Sequence, residues 1–264
     1  MSYEVALARR QALKKKLVNR EPVFGGWVSY TDPAITETFA MAGFDFIAID
    51  MEHTTISLTE AKTIITSAQS EGACCLPRPV SHTNDHIKPL LEAGADGMFI
   101  QMVETPEQVE TLIAAMKFPP VGRRSYGVNR AHGYGFDFDR YINDWNDSST
   151  LILQIESIQA VENIDALLAY PEVDGVMVGP YDISGSLGVP GQTNHPKVRE
   201  AGQRIIEAAK RAGKSCCTQI AEVTPDRVRD AFDQGFTFVI LGSDLFILWK
   251  WAEDMRAVMA EVKA

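Results

Sequence analysis

Short apolar runs alternate with stretches whose apolar residues recur at helical spacing, and the alternation continues from one end of the chain to the other. The runs that read as strands are Phe24–Val28, Phe46–Ile49, Ala73–Arg78, Gly97–Gln101, Leu151–Ile155, Gly175–Val178, Lys214–Gln219 and Phe238–Gly242. They are apolar with little alternation, the pattern of parallel strands covered on both faces. Helical patterns occupy Pro33–Ala42, Leu58–Ser70, Pro106–Met116, Ala160–Ala169, Pro196–Ala212 and Pro225–Gln234, several opened by Thr or Asp next to Pro. The phrases AGFDFIAID, AGADGMFIQ and QGFTFVILG each hold a helix-ending Gly, a small or polar turn and then a strand, as repeated αβ units do. Eight strand–helix alternations predict an α/β protein, a single (β/α)8 TIM barrel over residues 1–264. Pro119–Ser149, rich in Gly, Asp, Asn and aromatic residues, breaks the rhythm. It reads as a long excursion between the fourth and fifth strands, of the kind used as a lid or an interface.

Composition narrows the partners. At 264 residues, 45% hydrophobic and 23% charged, the chain buries one large core without needing a second domain. A net charge of −10 argues against nucleic acid or an anionic membrane as partner. The one compact basic run, Arg9–Arg10 through Lys14–Lys16, reads as the solvated face of an N-terminal amphipathic helix. No apolar stretch is long enough to span a bilayer and the N-terminus lacks a signal-peptide core, so a cytoplasmic location is expected. The cysteines form two adjacent pairs, Cys74–Cys75 and Cys216–Cys217, inside strand-like runs. Neighbours on a strand face opposite ways, so these read as buried thiols and not as a metal or redox motif.

Candidate chemistry gathers at strand ends. Glu156 closes LILQIES and Asp182 lies in GVMVGPYDIS, each where a strand emerges into a loop. In a parallel barrel those ends converge on one mouth, where two acids repel unless a cation sits between them. Two hard oxygen ligands leave positions for water and substrate, which suits Mg²⁺ or Mn²⁺ in a catalytic site. The second strand ends in IDMEHTT, bringing Asp50, Glu52 and His53 to the same rim. His53 beside Asp50 is a candidate general base, or else a cap for the following helix. Arg78 in LPRPV must meet a carboxylate, a substrate oxyanion, or both. In VGPYDIS, Gly179 permits close backbone approach, and an anion there would meet the amides of Gly179, Tyr181 or Asp182, since Pro180 has none.

The remaining candidates are weaker. His82 and His86 read as polar loop residues, His195 as turn chemistry, and His132 as a lid or interface residue. No GxSxG elbow supports a serine hydrolase, and no Lys ends a central strand as a Schiff-base aldolase needs.

Taken in order, IDMEH, LPRP, QIES and GPYDIS resemble the HpcH/HpaI aldolase family, over about Phe24 to Ile247. The resemblance implies a class II, metal-dependent pyruvate aldolase acting on 2-keto-4-hydroxy acids, with a small 2-keto acid and an aldehyde as partners. It implies Glu156 and Asp182 as ligands of a divalent ion (Mg²⁺, Mn²⁺ or Co²⁺), His53 for proton transfer with Asp50 as its partner, and Arg78 at the pyruvate oxygen. Gln154 matches a polar pocket residue, and Gly179–Tyr181 the segment that receives the pyruvate carboxylate. Tyr181 stands where many relatives carry Ala or Ser, so its ring either fills space near that site or turns outward. Relatives form hexamers, trimers of dimers, with an exchanged C-terminal helix; LFILWKWAEDM suits that role or packs within its own barrel. Two alternatives stand beside this reading. One is a lyase of the citrate-lyase or malyl-thioester branch, which needs a basic groove for CoA phosphates. The other is a non-catalytic barrel that binds a keto acid. The natural aldehyde, the stereochemistry and the preferred metal are not encoded in any of these motifs.

Overall fold

The computed structural model describes residues 2–263. Eight strands run in parallel: β1 Val23–Val28, β2 Phe46–Asp50, β3 Cys74–Arg78, β4 Gly97–Ile100, β5 Thr150–Ile155, β6 Gly175–Val178, β7 Ser215–Ile220 and β8 Phe238–Leu241. Their order, β3-β2-β1-β8-β7-β6-β5-β4, is that of a (β/α)8 barrel. β3 and β4 meet at the seam, where the Asp96 amide donates to the Cys75 carbonyl at 2.9 Å. The helices are α1 Tyr3–Val18, α2 Pro33–Met41, α3 Leu58–Ser70, α4 Asn84–Glu92, α5 Pro106–Met116, α6 Phe138–Ser148, α7 Ile158–Glu162, α8 Ile164–Leu167, α9 Pro180–Ser186, α10 Pro196–Arg211, α11 Pro225–Asp233 and α12 Asp244–Lys263.

Alternation along the strands sorts side chains into two cores. Trp27, Phe46, Ala48, Cys74, Leu76, Phe99, Ile152, Met177, Cys217, Phe238 and Ile240 fill the barrel interior. Cys75 and Cys216 pack outward beneath the helices, so each cysteine pair does split across the sheet. All four thiols are free and buried, and burial pushes that of Cys216 up to about 12. Inside, Phe99 lies 5.5 Å from Phe46 and 6.5 Å from Phe238, a floor of rings below the mouth. Gly25 makes room for that floor, because a Cβ there would meet the Phe46 ring at 2.1 Å.

The opposite end is closed by charge. Asp45, Asp96 and Asp174 precede β2, β4 and β6 and accept the amides of Phe24, Cys75 and Leu151 at 3.0, 2.9 and 2.9 Å. Thr237 does the same for Cys216 at 2.9 Å. Apart from the exposed Lys15, the basic residues of α1 are not a solvated face. Arg9 reaches Asp96 at 2.8 Å, Lys14 reaches Asp174 at 2.6 Å and Lys16 reaches Asp45 at 2.6 Å, so the helix plugs the barrel floor. A charge run looks solvated from sequence alone because the acids that bury it lie far along the chain.

The excursion is also not a lid. It follows α5 and precedes β5, so it lies at the N-terminal end of the strands, away from the mouth. Its second half is helix α6, whose Trp145 is fully buried and donates to the Met116 carbonyl at 2.7 Å. His132 is buried among Phe138 and Tyr141, 5.4 and 4.5 Å between ring centres, and burial lowers its basicity. The pattern read as one helix over 160–169 divides into α7 and α8 at Asn163, whose side chain donates to the Glu104 carbonyl at 2.8 Å.

Candidate active site

The C-terminal strand ends open into a cavity of about 520 Å³. Inward positions at the last turn of each strand bring Asp50, Arg78, Gln154 and Glu156 together, all less than a tenth exposed. Register explains the first pair, since Asp50 on β2 is level with Arg78 on β3. The Arg78 guanidinium meets Asp50 Oδ1 at 2.8 Å and Glu52 Oε2 at 2.9 Å, and lies 4.8 Å above the Trp27 ring. The salt bridge expected of a buried strand-end arginine is present on both acids, and it lies in the mouth. Its Nη1 also points to Gln154 Oε1 at 3.5 Å, and Gln154 in turn donates to Glu156 Oε1 at 3.1 Å. A polar chain thus runs Asp50–Arg78–Gln154–Glu156 across the cavity floor.

Glu156 is set by its surroundings. Its Oε2 accepts the Met102 amide at 3.0 Å, and Gly179 is what lets it lie there, because a Cβ at 179 would meet Glu156 Cγ at 2.5 Å. Burial raises the Glu156 carboxyl to about 7, and repulsion from Glu52 and Asp182 adds to this against the pull of the Met102 amide and Arg78. Glu52 is likewise raised, chiefly by burial, with Asp50 and Asp182 pushing in the same direction against Arg78 and His53. Four acids, Asp50, Glu52, Glu156 and Asp182, from the ends of β2 and β5 and from α9, therefore share one field, and hard oxygens that repel one another fit a divalent cation. Among the described residues no group of three or more His, Cys, Asp and Glu side chains is placed to hold a metal ion.

His53 and Asp50 meet differently from the expected tautomer-fixing pair. Asp50 Oδ1 accepts the backbone amides of Glu52 and His53, both at 3.1 Å, while the His53 ring lies 3.6 Å from Glu52 and is 70% exposed at the rim. Nor does His53 cap α3: Ser57 and Glu60 form that capping box. Of the three amides near Gly179, the one on Gly179 itself is spent on the Ile155 carbonyl at 3.1 Å. Those of Tyr181 and Asp182, second and third in α9, face no helical acceptor. Tyr181 lines the cavity and is 71% exposed.

His195 caps α10 by accepting the Lys197 amide at 3.2 Å, as turn chemistry predicts, and His82 turns to the Gln101 carbonyl. Sequence reasoning missed Trp27, whose inward place on β1 follows from alternation once β1 is known. It also missed the wall made by Leu245, Phe246 and Trp249 at the start of α12. The apolar tail carried that signal without a register to place it.

The family model described as HpcH/HpaI aldolase/citrate lyase matches residues 24–250. The chain belongs to the HpcH/HpaI aldolase/citrate lyase family. A 2-keto-3-deoxy-L-rhamnonate aldolase of Escherichia coli (strain K12) is 33% identical to it over 93% of this chain and 91% of that protein. A hydroxypyruvate/pyruvate aldolase of Roseobacter denitrificans is 34% identical over 92% of this chain and 95% of that one. The crystal structure of an HpcH/HpaI aldolase from Desulfitobacterium hafniense superposes with a TM-score of 0.85 at 30% identity, covering 94% of this chain and 96% of that one.

Proposed function

We propose that this HpcH/HpaI protein is a divalent-metal-dependent aldolase that cleaves or forms 2-keto-4-hydroxy acids, giving pyruvate and an aldehyde. The observation that carries the reading is Arg78, a buried guanidinium aimed into a cavity that it shares with the repelling acids Glu156 and Asp182. Mg²⁺, Mn²⁺ or Co²⁺ held by those two carboxylates would supply Lewis acidity at the keto oxygen. Arg78 donates to the same oxygen as negative charge develops there, and Asp50, Glu52 and Trp27 hold it in place beforehand. The Tyr181 and Asp182 amides receive the pyruvate carboxylate, and Gln154 keeps Arg78 and Glu156 in register. His53 moves the proton, taking it from the pyruvate methyl in one direction and from the 4-hydroxyl in the other. Its ring has access to solvent from the rim, and its backbone is fixed by Asp50.

The thioester alternative wants a basic groove, and among the described residues the only guanidinium or ammonium group lining this cavity is that of Arg78. Treatment with EDTA is expected to abolish pyruvate release from a panel of 2-keto-4-hydroxy acids, and Mg²⁺, Mn²⁺ or Co²⁺ to restore it. Full activity in metal-stripped protein would overturn the reading. His53→Ala is expected to lower turnover by about a hundredfold or more while Mn²⁺ binding by calorimetry and the melting temperature stay close to wild type. Loss of Mn²⁺ binding would instead make His53 a ligand.

For the assembly we propose a homo-oligomer, a hexamer built as a trimer of dimers, in which α12 is exchanged. Beyond Asp244 no residue of α12 is buried, and Trp249, Trp251, Val258, Met259 and Val262 are each at least half exposed. No helix among the described residues is long and apolar enough to cross a membrane. The four free buried thiols suit the reducing cytoplasm.

A further inference from the structure

Among the described residues, Arg78 is the one lysine or arginine that lines the cavity. Leu245, Phe246 and Trp249 from the start of α12 line it as well, with Tyr181 and Ala221. The Phe246 and Trp249 rings lie 6.5 Å apart, so they present a continuous aromatic surface. The first turn of α12, with Leu245 and Phe246, is held to this barrel. Asp244 accepts the Ser29 and Tyr30 amides, each at 2.9 Å, and Ser243 accepts the Phe246 amide at 3.1 Å. The acids that line the cavity, Asp50, Glu156 and Asp182, outnumber its one guanidinium, and Arg78 is already paired with Asp50 and Glu52. A substrate group against these rings gains apolar contact and meets no further lysine or arginine to pair with a carboxylate.

We infer that the acceptor of this enzyme is an uncharged aldehyde with a flat apolar or aromatic body, and that the site discriminates against aldehydes bearing a second carboxylate. The inference rests on the aldolase reading above and names the substrate class of that same site. Tyr181 serves this selection. Where a small residue would leave the rim open, its ring stands at the lip of the cavity, on the side of α9.

Two analogues without the 4-hydroxyl cannot be cleaved and report binding alone: 2-oxo-4-phenylbutanoate, and 2-oxohexanedioate with its second carboxylate. By calorimetry on the intact protein with Mn²⁺, the phenyl compound is expected to bind at least about tenfold more tightly. Leu245→Arg, at a position 41% exposed and so tolerant of a longer side chain, is expected to reverse the order by supplying the missing cation. The same selectivity is expected in kcat/KM for pyruvate addition to benzaldehyde against 4-oxobutanoate. Equal binding of the two analogues, or preference for the dicarboxylate by the natural protein, would overturn the inference while leaving the aldolase reading intact. Failure to exchange pyruvate methyl protons at all would overturn the aldolase reading, and this inference with it.

Discussion

Arg78→Ala is expected to lower both aldol cleavage and pyruvate methyl-proton exchange by about a hundredfold to a thousandfold, the loss typical of removing one donor from a developing oxyanion. Both reactions pass through the same enolate, so they should fall together. The variant also leaves Asp50 and Glu52 facing one another without their shared cation, since Arg78 pairs with both. Breaking such a buried pair costs on the order of 3–5 kcal/mol, so rates must be normalised to folded protein measured by circular dichroism. Arg78→Lys tests geometry. An ammonium restores the charge but does not span Asp50, Glu52 and Gln154 while stacking on Trp27, so activity should remain well below wild type. Exchange at the wild-type rate in Arg78→Ala would remove Arg78 from the chemistry.

Glu156→Gln is expected to abolish turnover and weaken divalent-metal binding while making the metal-free protein more stable at alkaline pH. Burial first, and then Glu52 and Asp182, lift the Glu156 carboxyl from its ordinary value of 4.5 to about 7. The folded protein then holds a proton that the unfolded chain gives up. The stability this group contributes is full below about pH 4.5 and is lost as pH rises through about 7. Metal-free wild type should therefore lose melting temperature between about pH 5 and pH 8, and Glu156→Gln, which has no charge to bury, should lose less of it. Differential scanning calorimetry at the two pH values reads this directly. A variant that melts lower than wild type at both would assign Glu156 a structural role.

The barrel was legible because most strands carry an apolar run and several crossover helices open on Thr or Asp next to Pro. The repeated Gly-x-x-strand phrase marked the units, and Asp45, Asp96 and Asp174 within or beside it turned out to cap neighbouring strands. Period-two alternation explains why Gln154 and Glu156 share one inward face at the end of β5. What escaped was what depends on contacts distant in sequence. Arg9 and Lys14 read as solvated until Asp96 and Asp174 are brought beneath them. The segment after α5 reads as a lid or an interface because its length is visible and the end of the barrel on which it falls is not. Its helix α6 was signalled by Phe138, Tyr141, Trp145 and Ser148 at helical spacing, a pattern obscured by the surrounding polar residues. At the site, adjacency in sequence suggested that Asp50 orients the His53 ring. The carboxylate turns instead to Arg78 and to two backbone amides, because a buried guanidinium is the more demanding partner.

The central claim, metal-dependent formation of a pyruvate enolate beside Arg78, is tested most directly by following the pyruvate methyl signal by proton NMR in D₂O, with no aldehyde present. The account predicts that the signal decays with the metal-loaded protein, stops when EDTA removes the ion and resumes on adding Mn²⁺ or Mg²⁺ in a replicate read after chelation. Decay at an undiminished rate in metal-stripped protein, or pyruvate becoming fixed to the chain on borohydride treatment, would contradict it.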